Sequence, residues 1–117
     1  MTEAASLAQQ VRTNFSKVES SAKFDDQIWL TFYLAGAPAN LRQVAESLNA
    51  RGWVNLDGSE GAFLYPKVQV ERSLEEVVRT AEAAHKLCAA QGVEILNIDA
   101  DTSPELERSH FLTLYRL

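Results

Sequence analysis

The chain has few of the features that mark secreted or membrane proteins. It contains one cysteine, Cys88, among 117 residues, which excludes an intramolecular disulfide and favours a reducing compartment. No apolar run approaches the roughly 20 residues that a membrane-spanning helix needs. The N-terminus lacks both the basic region and the continuous apolar stretch of a secretory signal. These absences predict a cytoplasmic protein that does not enter membranes.

Basic residues are also scarce. The chain has 11 lysines and arginines against 16 aspartates and glutamates, a formal net charge of −5. Proteins that bind nucleic acid without sequence preference are usually basic, because phosphate neutralisation supplies most of their affinity. The charge balance therefore counts against direct nucleic-acid binding and favours a protein or a small molecule as partner. The hydrophobic share of 46% is ordinary for one globular domain.

Only five glycines are present, and two of them follow segments with helical character, namely Gly52 and Gly92. A glycine just past a helix adopts the left-handed conformation at low cost, and the next residue then packs back on the helix. We therefore expect a close return of the chain after each glycine. The expected pairs are Trp53 with Leu48 and Val93 with Cys88.

Alternation and helical periodicity together predict the order of elements. Strands are expected at 27–34, 53–56, 62–70, 93–100 and 110–117, and helices at 2–21, 41–51 and 74–91. This order predicts an α+β fold, the ferredoxin-like split βαββαβ sandwich, with an extra N-terminal helix and a C-terminal strand. Its sheet would place the strands in the order fourth, first, third, second. Residues 1–22 form the N-terminal amphipathic helix, and residues 23–117 form a single domain.

Two helix starts have the sequence of a capping box, in which a side chain at the first position and one three residues later satisfy free amide groups. Asn40 with Gln43 is expected to begin the first helix of the domain. Ser73 with Glu76 is expected to begin the second.

Aromatic side chains are expected to share one face of the sheet. Trp29 and Tyr33 alternate with the apolar residues of the first strand, and Phe63 and Tyr65 occupy the same face of the third. RNA-recognition domains stack bases on such a face, but here Pro66 interrupts the strand. The interpretation that we favour is that these aromatics are core residues, covered by the N-terminal helix or by a second subunit.

The histidine and cysteine content does not predict a metal site. His85 and Cys88 lie three residues apart on one helix, but no second cysteine exists and His110 is distant in sequence. A structural zinc ion needs about four ligands. A cysteine on an apolar helix face is also a poor nucleophile, because burial disfavours the thiolate.

Carboxylates near the end of the fourth strand are the other candidate metal ligands. They are Asp99, Asp101, Glu105 and Glu107. The spacing of a calcium-binding loop is absent, so helix capping by Asp101, Thr102 and Ser103 is the favoured interpretation. We predict no metal, no cofactor and no catalytic residue.

The sequence resembles the regulator of ribonuclease activity B family, small bacterial inhibitors of ribonuclease E, over residues 27–99. The resemblance lies in the strand Ile28–Leu34, the pair Gly52-Trp53, the helix segment Glu82–Gln91 and the strand that follows it. Family members often carry a Tyr-Asp-Gly-Trp run in the last strand, where this chain has Ile95–Asp99. The resemblance implies the split sandwich and a non-enzymatic protein that binds ribonuclease E.

These observations give one leading hypothesis and two alternatives. The chain is predicted to be a regulatory domain that binds a protein partner, with ribonuclease E and a second copy of the chain as candidates. The candidate interaction surface consists of Trp29, Tyr33, Phe63, Tyr65, Glu105 and Glu107. The alternatives are a sheet that binds single-stranded RNA and a domain that senses a small molecule.

Overall fold

The computed structural model of the protein describes residues 3–56, 61–104 and 110–117. These residues form a mixed α+β structure with three helices and a five-stranded antiparallel sheet. The helices are α1 (Glu3–Glu19), α2 (Pro38–Asn49) and α3 (Leu74–Ala90). The strands are β1 (Gln27–Ala35), β2 (Phe63–Leu64), β3 (Lys67–Glu71), β4 (Glu94–Asp101) and β5 (Phe111–Arg116).

The first strand lies in the interior of the sheet. β1 pairs with β4 on one side and with both β2 and β3 on the other, and β5 pairs with β4 at the far edge. β2 and β3 follow each other along the same side of β1, in place of the single strand predicted at 62–70. Pro66 separates them because it has no N–H to donate, although its carbonyl still accepts from Phe32 N at 3.0 Å.

The strand predicted at 53–56 is much shorter than expected. Only Val54 pairs, with Lys67, through reciprocal backbone hydrogen bonds of 2.8 and 2.9 Å. Asn55 has a φ of 59°, a left-handed conformation that ends extended pairing. Val54 lies on the side of β3 that faces away from β1.

Both glycine-terminated helix ends have the predicted geometry. Gly52 has a φ of 84° and Gly92 a φ of 69°. Trp53 N donates to the carbonyl of Leu48 at 3.1 Å, and Val93 N donates to that of Cys88 at 2.8 Å. These bonds satisfy carbonyls that the helix leaves unpaired. They turn the chain at once from each helix toward the sheet.

One predicted helix cap is confirmed and the other is wrong. The Ser73 hydroxyl accepts from Glu76 N at 3.4 Å at the start of α3. The start of α2 lies before Asn40, because Pro38 occupies the first turn and Ala37 is the capping residue without a side-chain bond. Proline is favoured there because its fixed φ suits a helix and its missing N–H has no partner in the first turn.

The helices form one layer on one face of the sheet. Ile28, Leu30, Phe32 and Leu34 of β1 are buried in a single core with the inward residues of α2 and α3. The apolar stripe of α1 belongs to the same core; it consists of Leu7, Val11, Phe15 and Val18. α1 contacts α3 and β5. The expectation that α1 covers the aromatic face is therefore wrong: its stripe extends the helix layer instead.

Candidate functional site

The sheet face opposite the helices is the candidate functional site, and we call it the open face. Residues directly opposite each other in antiparallel strands project from the same side, so strand register identifies its members. They are Gln27, Trp29, Thr31, Tyr33 and Ala35 of β1, Phe63 of β2, Lys67, Gln69 and Glu71 of β3, Glu94, Asn97, Asp99 and Asp101 of β4, and Phe111, Thr113 and Arg116 of β5. None of α1, α2 and α3 packs on this face.

The four aromatics predicted for the interaction surface remain accessible. Phe63 is 42% exposed and Tyr65, which follows β2, is 39% exposed, while Trp29 and Tyr33 are partly buried. Tyr33 and Tyr65 make an edge-to-face contact with ring centroids 5.5 Å apart. Phe63 lies opposite Ala35, and Trp29 lies toward the other end of β1. The predicted Glu105 and Glu107 lie outside the described residues.

Charged and polar side chains at the middle of the open face are buried. Thr31, Lys67, Asp99 and Asp101 are between 3% and 6% exposed. Lys67 Nζ donates to Thr31 Oγ1 at 2.8 Å, and the Thr31 hydroxyl donates to Asp101 Oδ2. One hydroxyl therefore joins a buried ammonium on β3 to a buried carboxylate on β4. Such burial is tolerable only because each group has a hydrogen-bond partner.

A second group of hydrogen bonds converges on Asp99. Tyr33 OH donates to Asp99 Oδ2 at 3.0 Å, and Asn97 Nδ2 donates to Asp99 Oδ1 at 2.7 Å. Burial, reinforced by the Asp99 charge and its hydrogen bond, raises the pKa of Tyr33 from 10.0 to about 12. The phenol therefore stays protonated at neutral pH and keeps its role as a donor.

Sequence reasoning missed this polar centre. It assigned Asp101 as a helix cap, which is wrong, because β4 continues through Asp101 and the carboxylate accepts from Thr31. A signal was present: Asn97, Asp99 and Asp101 alternate with the apolar Ile98 and Ala100, as half-buried strand residues do.

The described residues offer little to a metal ion or a covalent reaction. Among the residues that the structure describes, no three histidine, cysteine, aspartate or glutamate side chains lie close enough together to hold a metal ion. Cys88 is buried, and that burial raises the pKa of its thiol to about 12, which keeps it protonated. Thr31 and Lys67 are buried and already bonded to protein groups.

A shallow depression lies at the Trp29 end of the open face. It has a volume of about 580 Å³ and is lined in part by Phe24, Trp29, Gln69 and Arg72. The Arg72 guanidinium donates to the carbonyl of Phe24 at 2.7 Å. This hydrogen bond holds the guanidinium against the segment that precedes β1.

Comparisons with known proteins do not indicate a function for this chain. No protein-family model, curated protein or solved structure matches this chain. Over the three described ranges, none of the helices has the length and apolar content required to cross a membrane.

Proposed function

We propose that this chain is a non-enzymatic regulatory domain that binds a protein partner through the open face. The observation that carries the proposal is the exposure of Phe63 and Tyr65 on a face that no described helix covers. Aromatic side chains are enriched at the centres of protein interfaces, where they supply large contact areas. The non-enzymatic part of the proposal follows from the polar centre of the same face.

The polar centre has the features of a structural support for that surface. Thr31 and Lys67 have little exposed area, and each is engaged in a hydrogen bond within the sheet. Tyr33 is held as a neutral donor by its raised pKa of about 12, far from the near-neutral value that suits a general acid or base. These groups link neighbouring strands of the sheet, and Phe63 and Tyr65 on the same face are available for contact.

We further propose a ferredoxin-like split βαββαβ arrangement and a partner of the ribonuclease E type. The fold proposal is supported by the interior position of β1, with β4 on one side and β3 and Val54 on the other. The partner proposal rests on the resemblance of the β1 segment and the Gly52-Trp53 turn to ribonuclease E regulators. A bacterial cytoplasmic location accompanies it.

The test combines the purified chain with ribonuclease E and a model RNA substrate. The unaltered chain is expected to bind the nuclease and slow cleavage. The double substitution Phe63→Ser with Tyr65→Ser should abolish both effects, because it removes the exposed aromatic contacts. The control is Leu117→Ser, an exposed apolar residue that lines a cavity together with His85 of α3. Failure of the unaltered chain to bind, or equal loss in the control, would refute this partner and surface.

Single-stranded RNA binding is the second candidate, favoured by the Tyr33–Tyr65 contact beside the exposed Phe63. Base stacking contributes about 1–3 kcal/mol per base, but it normally acts together with a basic groove. This face instead contains buried Asp99 and Asp101. Fluorescence anisotropy with labelled polyuridine should show no binding at physiological salt. Tight binding that is lost in Tyr65→Ala would favour the RNA-binding function.

A further inference from the structure

We propose that the partner docks on the open face through an arginine-bearing extended segment. This inference rests on the proposed function and specifies the chemistry of the partner. It follows from the charges that strand register places on the face and from the aromatic groups beside them.

The open face carries an excess of negative charge. Its acidic members are Glu71, Glu94, Asp99 and Asp101, and its basic members are Lys67 and Arg116. Four carboxylates against two cations leave a formal charge of −2 among these described residues. Glu71 and Glu94 are exposed near opposite ends of the face. The carboxylates that a cation can reach are therefore Glu71 and Glu94, because Asp99 and Asp101 are buried.

Arginine suits this surface better than a lysine or a neutral residue. Its planar guanidinium is weakly hydrated, stacks on aromatic rings and donates to carboxylates in a fixed geometry. Tyr65 offers an exposed ring edge-on to Tyr33. Phe63 and Glu94, both exposed, lie on either side of Ala35 on the same face. An exposed aromatic ring and an exposed carboxylate are therefore available on the same part of the open face.

The same charge disfavours the other occupants. A second copy would bring two faces of formal charge −2 together, and like charges brought together across an interface are strongly unfavourable. The phosphates of RNA would meet the same repulsion. Only a cationic partner gains from these carboxylates while it covers the exposed aromatics Phe63 and Tyr65.

The direct test uses the full chain and short labelled peptides in which arginine alternates with serine. The control peptide contains citrulline in place of arginine, which keeps the shape and removes the charge. We expect the arginine peptide to bind at least about tenfold more tightly in low salt, with the difference shrinking as salt screens the charges. Equal binding of the two peptides would overturn the inference.

Charge substitutions then locate the binding surface. The double substitution Glu71→Gln with Glu94→Gln should lower the affinity for the arginine peptide about fivefold, because two exposed charge pairs are lost. The control, Glu46→Gln with Glu82→Gln, changes the net charge equally on α2 and α3, where both residues are exposed, and should leave affinity unchanged. Equal weakening by both pairs would contradict docking on the open face.

Two further results separate this inference from the proposed function. If ribonuclease E binds and Tyr65→Ser blocks it while neither peptide binds, the cationic-segment inference fails and the protein-binding function stands. A dimer in sedimentation that dissociates on Tyr65→Ser would also overturn the inference, because a second copy would then occupy the face.

Discussion

Thr31 is the residue on which the buried polar centre depends. Its hydroxyl accepts from Lys67 and donates to Asp101, so it satisfies charged groups on two neighbouring strands. Beta-branched threonine also suits the interior strand in which it lies. Lys67 and Asp101 are buried on either side of it, and neither keeps this hydrogen bond if the hydroxyl is lost.

Replacement of that hydroxyl should lower stability clearly. Thr31→Val keeps the side-chain shape but leaves the buried ammonium and carboxylate without their shared partner, a loss of about 1–3 kcal/mol in the free energy of unfolding. Thr31→Ser keeps the hydroxyl and loses only a methyl group, about 0.8 kcal/mol. Urea unfolding measures both. If the valine variant were as stable as the serine variant, the bridging role would be wrong.

Tyr33 should make stability depend on pH in the alkaline range. Its pKa is about 12 in the folded protein against an ordinary 10.0, so the folded state holds the phenolic proton more tightly than the unfolded state. The stabilisation is therefore fully present below pH 10 and is lost as pH rises from 10 to 12. In Tyr33→Phe, the free energy of unfolding should not show this additional decrease between pH 10 and 12. An unchanged decline between pH 10 and 12 in that variant would assign it to other groups.

At the scale of elements, α1 protects an edge of the sheet. β5 is the edge strand beside β4, and unpaired edges invite association with other strands. Asn14 Nδ2 donates to the carbonyl of Leu114 at 2.9 Å, and Arg116 N donates to Gln10 Oε1 at 3.3 Å. Two side chains of α1 thus satisfy backbone groups along the edge, while its apolar stripe packs below.

Removal of these two side chains should destabilise the edge. Gln10→Ala with Asn14→Ala is expected to lower the free energy of unfolding by about 1–2 kcal/mol and to increase self-association. Gln9→Ala with Thr13→Ala, at exposed positions with the same spacing on α1, is the matched control. Denaturation and sedimentation velocity measure the two effects. A double variant that stays as stable and as monomeric as the control would contradict edge protection.

The elements that could be predicted from sequence are those with local causes. Alternation along β1 and the glycines after the helices depend on neighbours in the chain, and both expectations are confirmed. Pro66 was expected to interrupt the strand at 62–70, but the division into β2 and β3 was not predicted. The end of pairing at Asn55 was missed because it depends on the backbone conformation of that residue. The apolar stripe of α1 showed which side of the helix is buried. It did not show that α1 packs against α3 and β5, because helical periodicity carries no information about the neighbouring element.

The whole molecule has two faces with different chemistry. One core lies between the helix layer and the sheet and contains apolar residues of all three helices and of β1, β2, β4 and β5. The open face holds exposed aromatic groups and a buried polar centre. Sequence alternation placed the four aromatics on one side. It could not reveal that Thr31, Asp99 and Asp101 hydrogen-bond with their neighbours, because strand register is set by residues far apart in the chain.

Photo-crosslinking in living cells measures directly whether the open face is the protein-binding surface. A photoreactive phenylalanine derivative replaces exposed Tyr65 in one variant and exposed Glu82 of α3 in another. We expect a discrete protein adduct at position 65, containing ribonuclease E, and none at position 82. An adduct at position 82 alone, or no adduct at position 65, would contradict the claim.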